Sequence, residues 1–93
     1  MHAIVVMVDI DTERVKESEE LLQSFTIPMA SSQGGFQRGT WMRSTDDSQG
    51  RGVILFDTQE HAESAAEAVR KGPPPGAPVT FRSVEVFQVV AEA

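Results

Sequence analysis

Two runs of this chain carry no polar alternation: Ala3-Ile4-Val5-Val6-Met7-Val8 and Gly52-Val53-Ile54-Leu55-Phe56 are apolar at consecutive positions. Side chains alternate across a strand, so such runs predict strands covered on both faces. Residues 2–10 form the first strand and residues 51–57 the third. Residues 36–44 are of mixed polarity and predict a second, edge strand. It places Phe36, Arg38, Thr40 and Met42 on one face, and Gln37, Gly39, Trp41 and Arg43 on the other. A long fourth strand runs from Val79 to about Ala91. It outreaches the first, so its end overhangs with free backbone groups that suit a neighbouring subunit.

Two segments show helical spacing instead. Val15, Ser18, Leu22, Phe25 and Met29 recur at alternating steps of three and four, with Leu21 at the margin. Asp11 and Thr12 supply acceptors for the free N–H groups at the start of this helix, and Pro28 predicts its end near Thr26. Thr58 caps a second helix whose inward stripe is Ala62, Ala65, Ala66 and Val69, residues small enough to bring the axis close to a sheet. Ser31-Ser32-Gln33-Gly34-Gly35, residues 45–50 and the proline-rich residues 72–78 read as connections.

The order is β-α-β-β-α-β, an α+β chain forming one domain over residues 1–93. With right-handed crossovers it gives a ferredoxin-like, four-stranded antiparallel sheet with both helices on one face. The first and third strands are central, which is where the doubly apolar runs belong. Two helices cover one face only. The other face calls for a second copy of the chain, since Val5, Met7, Val53 and Leu55 would otherwise stand in a large wet apolar patch.

Composition narrows the function classes. A net charge of −6 argues against nucleic acid as a partner. Five acids, Asp11, Glu13, Glu17, Glu19 and Glu20, fall in the first helical segment, whereas Arg38, Arg43, Arg51 and Arg82 fall in or beside strands. There is no cysteine, hence no thiolate metal site and no need of an oxidising compartment. The apolar run after Met1-His2 is too short to span a bilayer. These features point to a cytoplasmic protein with no membrane partner. His2 and Asp9 lie on opposite strand faces and cannot share a metal, and Gly34-Gly35 with Gly39 does not make a dinucleotide fingerprint.

Three residues carry what candidate chemistry there is. Trp41 is placed to stack on a planar aromatic ligand, or to pack as any large residue on a half-buried strand. Arg43 shares its strand face two residues on. It either holds an enolate or carboxylate beneath that aromatic wall or stacks on the indole. His61 stands in the first turn of the second helix as a general base or as an ordinary surface histidine.

The first strand His2–Ile10, the opening Gly35-Phe36-Gln37-Arg38-Gly39 of the second, the run Gly52–Glu60 into an alanine-rich helix, and the closing Val84-Glu85-Val86-Phe87 together resemble the dimeric α/β-barrel superfamily. They are most similar to its antibiotic-biosynthesis-monooxygenase-like members, over nearly the whole chain. The resemblance implies a homodimer with sheets face to face and a pocket in each subunit between sheet and helices. Some members oxidise polycyclic phenols without flavin or metal, and some relatives open haem. Members with oxygen chemistry tend to place an asparagine near a tryptophan, with a histidine or tyrosine nearby. This chain has neither asparagine nor tyrosine, which leaves Trp41 and His61.

Two functions follow as expectations. One is a cofactor-independent, monooxygenase-like enzyme acting on a small aromatic or enolic molecule, with Arg43 stabilising charge and Trp41 supplying shape. The other is a non-enzymatic dimeric module that binds a small ligand or serves as an accessory. A ligand-sensing regulatory domain ranks behind both, since no DNA-binding segment accompanies it.

Overall fold

A computed structural model describes residues 1–93. The strands are β1 (His2–Ile10), β2 (Phe36–Arg43), β3 (Gln49–Phe56) and β4 (Val79–Gln88), all antiparallel in the order β2-β3-β1-β4. The two doubly apolar runs are the central pair, as the patterning requires. One face carries α1 (Val15–Leu21), a π turn (Leu22–Thr26), α2 (Ile27–Ser31) and α3 (Gln59–Arg70).

The core lies between this face and α3. Ile4 and Val6 of β1 and Ile54 and Phe56 of β3 meet Ala62, Ala65, Ala66 and Val69, all buried. Alanine at three of the four helix positions lets α3 settle close to the strands. Its start is fixed by Thr58, whose Oγ1 accepts a hydrogen bond from the His61 N–H at 3.1 Å.

Register refines the edge strands. Arg38, Thr40 and Met42 share the outer face, and Gly39, Trp41 and Arg43 face the helices. A bulge between Phe36 and Arg38 moves Phe36 off the outer face that strict alternation assigns it. It lies opposite Phe56, with ring centroids 6.2 Å apart in an edge-on contact. A second bulge in β4 leaves Arg82 unmatched, and its guanidinium lies 3.3 Å from Asp9.

Three expectations about element ends are corrected. The first helix does not stop at Thr26. Pro28 would lose its own hydrogen bond and clash with the carbonyl four residues back in an unbroken α-helix. The chain inserts a π turn instead, with the Ile27 N–H bonding to Leu22 O five residues back. Pro28 then opens a new α segment, and Ile27 stays helical at φ −65° and ψ −48°. Asp11 does not cap α1, which begins after Arg14 with no side-chain cap; its carboxylate accepts from the Glu13 N–H in the preceding turn.

Strand β4 ends at Gln88 rather than near Ala91. Val89 N–H bonds to Met1 O, and Glu92 pairs with Arg38 on the opposite edge strand. Residues 89–93 therefore cross one end of the outer face, which accounts for the burial of Ala3 and Leu55 there. Beyond the tail, Met42 is 51 % and Phe87 49 % exposed. No helix is long and apolar enough to cross a membrane.

Candidate functional site

The helical face is closed by α3 at one end of the sheet, over Ile4, Ile54 and Phe56, but not at the other end, where β1 and β2 finish and β3 and β4 start. There α1 and the π turn stand off the sheet and leave a pocket of about 460 Å³. Its size falls within the range of about 300–1,000 Å³ typical of small-molecule sites.

Inward-facing glycines make room for the floor. Gly50 and Gly52 of β3 line the pocket, and Gly39 of β2 lies beneath Trp41. Trp41 lies flat over two of them. A Cβ at Gly39 would come within 2.5 Å of the indole, and one at Gly52 within 3.0 Å. The indole thus lies along the pocket floor, and its N–H has no hydrogen-bond partner within the chain. Val6, Val8, Ile54 and Phe81 of the sheet continue the lining, and Leu21, Leu22, Phe25 and Met29 form the roof.

The π turn shapes that roof. Its extra residue per turn rotates the helix after Leu22 so that Thr26 and Ala30 turn inward beside Met29, which helical spacing already places there. Phe25, which helical spacing assigns to the core, is left 37 % exposed while still lining the pocket.

Polar groups here are few and mostly engaged. Ser18 Oγ donates to Val15 O. Arg43 Nη1 donates to Glu19 Oε1 of α1 at 2.6 Å, and its Nε to Asp47 Oδ1 at 2.8 Å. This bridge ties α1 to β2 and to the β2–β3 hairpin, and it holds the guanidinium above its ordinary pKa, the Glu19 hydrogen bond being the main cause. The hairpin is braced by Asp46, whose Oδ1 accepts from Ser48 N–H, Ser48 Oγ and Ser44 Oγ. Those bonds, led by the Ser48 hydroxyl, lower the carboxyl pKa to about 2.

Trp41 and Arg43 therefore meet at one site, while His61 is elsewhere. Arg43 lies opposite Gly50, whereas His61 is held by Asp57 beyond the other end of β3. Seven residues at about 3.3 Å each put the two ends roughly 23 Å apart. His61 Nδ1 lies 2.6 Å from Asp57 Oδ1, and this hydrogen bond holds the Asp57 carboxyl below its usual range. The pair packs beneath Gly35, at φ +78°, where a Cβ would lie 2.1 Å from Asp57 Oδ1. This histidine orders the loop that leads into β2, and it does not line the pocket. No group of three or more metal-ligating side chains is present.

Sequence reasoning missed the floor glycines and the roof's rotation. The first had a legible signal, glycine at every second position on one face of paired strands. The second was signalled by Pro28 standing inside a continuing apolar pattern.

No protein-family model and no curated protein matches the chain. Solved structures do. SnoaB, a cofactor-independent oxygenase from Streptomyces nogalater, superposes with a TM-score of 0.72 at 18 % identity, covering 98 % of this chain and 94 % of its own. The heme-degrader MhuD from Mycobacterium tuberculosis, with two hemes in its active site, gives 0.76 at 15 % identity, over 100 % and 99 %. A dimeric ferredoxin-like protein from an uncultured marine organism gives 0.70 at 12 % identity, over 100 % and 98 %. The fold of this chain is accordingly ferredoxin-like.

Proposed function

We propose that this chain binds a small planar aromatic or enolic molecule between sheet and α1 and oxidises it as a cofactor-independent, monooxygenase-like enzyme. The observation that carries the reading is the open pocket floored by Trp41. An apolar cavity with a flat indole along its base suits a fused-ring ligand stacked on the free indole face. The likeness to SnoaB supports the reaction class at the level of fold.

In such a reaction the substrate supplies all four electrons. An activated ring CH₂ flanked by a carbonyl-bearing system loses both hydrogens, one atom of O₂ becomes the new carbonyl oxygen, and the other leaves as water. The chain's part is to hold the ring, exclude bulk water and present the indole N–H to a substrate oxygen. The test is oxygen uptake with a panel of anthrones and hydroquinones. Turnover that falls at least tenfold in Trp41→Ala supports the reading. Turnover no faster than buffer, or equal in the variant, overturns it.

The second reading, a binding module without turnover, is favoured by one observation: Ser18 and Arg43 spend their hydrogen bonds on the protein itself. Ligand binding without oxygen uptake selects it.

The same reading includes a homodimer closed over the outer face. Val5, Met7 and Val53 are only partly covered there, and Met42 and Phe87 stand about half exposed. Light scattering at micromolar concentration is expected to return twice the mass of 10.1 kDa. A well-folded monomer at that concentration overturns this part.

A further inference from the structure

The charge at the pocket mouth supports a further inference, which rests on the reading that the pocket takes a ligand. We infer that the pocket selects uncharged ligands against anionic ones, and that Glu19 is the residue that enforces the choice. Among the lining residues only Glu19, Arg43 and Arg51 are charged, and Arg51 lies opposite Met7 on the outer face, so it contributes backbone rather than its guanidinium. The single cation at the mouth is already bound by two carboxylates, Glu19 through Nη1 and Asp47 through Nε. One guanidinium against two carboxylates leaves a net charge of −1 where an anion would have to dock.

The roof adds to this field. Glu17 and Glu20 stand on α1 and Asp11 and Glu13 just before it, against only Arg14 and Lys16. Arg14 is itself paired with Glu17. An incoming carboxylate or phenolate must displace a carboxylate from Arg43 or sit beside it unpaired. A neutral ring meets only Trp41 and the aliphatic wall. Rejection by an uncompensated charge is a common route to specificity, because it penalises the wrong ligand and leaves the right one untouched.

Trp41 is the only tryptophan, so its emission reports ligand in this pocket directly. The test titrates 9-anthracenemethanol and 9-anthracenecarboxylate, the same ring with a neutral and an anionic substituent, at pH 7 and low salt. The neutral probe is expected to quench Trp41 with at least tenfold higher affinity. Glu19→Gln removes one carboxylate and frees Nη1. It should raise the affinity for the carboxylate at least fivefold and leave the alcohol within twofold. Asp47→Asn should act in the same direction, since asparagine accepts the positive φ of 66° at that turn position. Equal affinity for the two probes, or a Glu19→Gln variant with an unchanged ratio, overturns the charge selection while the pocket reading stands. If neither probe quenches Trp41, the pocket reading falls and takes this inference with it.

Discussion

At the end of the sheet around Ile4, Ile54 and Phe56, α3 presents three alanines and a valine, all buried, and nothing separates it from the strands. At the other end, over Val8, Trp41, Gly50 and Phe81, α1 and the π turn present Leu21, Leu22 and Phe25, none of them buried, and a cavity of about 460 Å³ lies beneath. The contrast runs against a simple expectation that larger apolar side chains make a tighter core. Small residues let an axis approach until backbone and strand meet. Long residues hold it off, and here the strands below have been stripped to glycine, so the space is not refilled. One half of the helical face stores stability and the other half stores volume.

Matched insertions break or sharpen this contrast most strongly. Ala66→Leu forces three extra carbons into a place with no spare room, and a loss of about 3 kcal/mol is expected. Leu22→Phe also adds three carbons, though less volume, to the open half and should change stability by less than about 0.5 kcal/mol while reaching into the pocket. Urea unfolding of both variants measures the difference. Comparable losses would show that the open half is as tightly packed as the closed one.

How much of this was legible in the sequence differs between the same two halves. The closed half could be read almost residue by residue. The stripe Ala62, Ala65, Ala66 and Val69 and the runs around Ile4 and Ile54 have regular periods, and regular periods survive folding unchanged. In the open half each irregularity displaced an expectation. The π turn rotated Phe25 outward, and the bulge at Gln37 brought Phe36 inward. The pairing of Trp41 with Arg43 on one strand face was readable from alternation. The engagement of Arg43 by Glu19, twenty-four residues away in the chain, was not, because no local rule sets a contact across the pocket mouth. His61 stood as a candidate by residue type alone. Only the length of β3 shows that it is at the wrong end.

A smaller effect tests the floor. Gly39→Ala places a methyl 2.5 Å from the indole edge, and Trp41 is free to yield only toward the cavity. The expected cost is about 1 kcal/mol, with a red shift of Trp41 emission as the ring lifts into a wetter position. The same substitution at Gly76, where a Cβ meets nothing but the backbone holds φ +77°, would destabilise without moving the emission. An unshifted spectrum in Gly39→Ala would show that the indole does not rest on the glycines.

The weakest effect comes from acid and separates the halves by the kind of contact that holds them. The buried stripe of α3 is held by apolar contacts that carry no titrating group, the Asp57–His61 pair lying only at the helix's start, whereas the hairpin behind the pocket mouth is held by the Asp46 carboxylate. That carboxyl has a pKa of about 2 in the folded chain against an ordinary 3.8. Its contribution is therefore fully present above about pH 4 and is lost as pH falls through the interval down to about 2. Amide exchange at residues 44–49 should quicken across that interval before exchange in α3 changes, a local opening rather than a global one. Asp46→Asn removes the titrating group. The hairpin of that variant should exchange faster at neutral pH and lose its acid dependence, whereas α3 should exchange as in the parent throughout. A hairpin and helix that lose protection together would mean that the two halves of the face unfold as one unit.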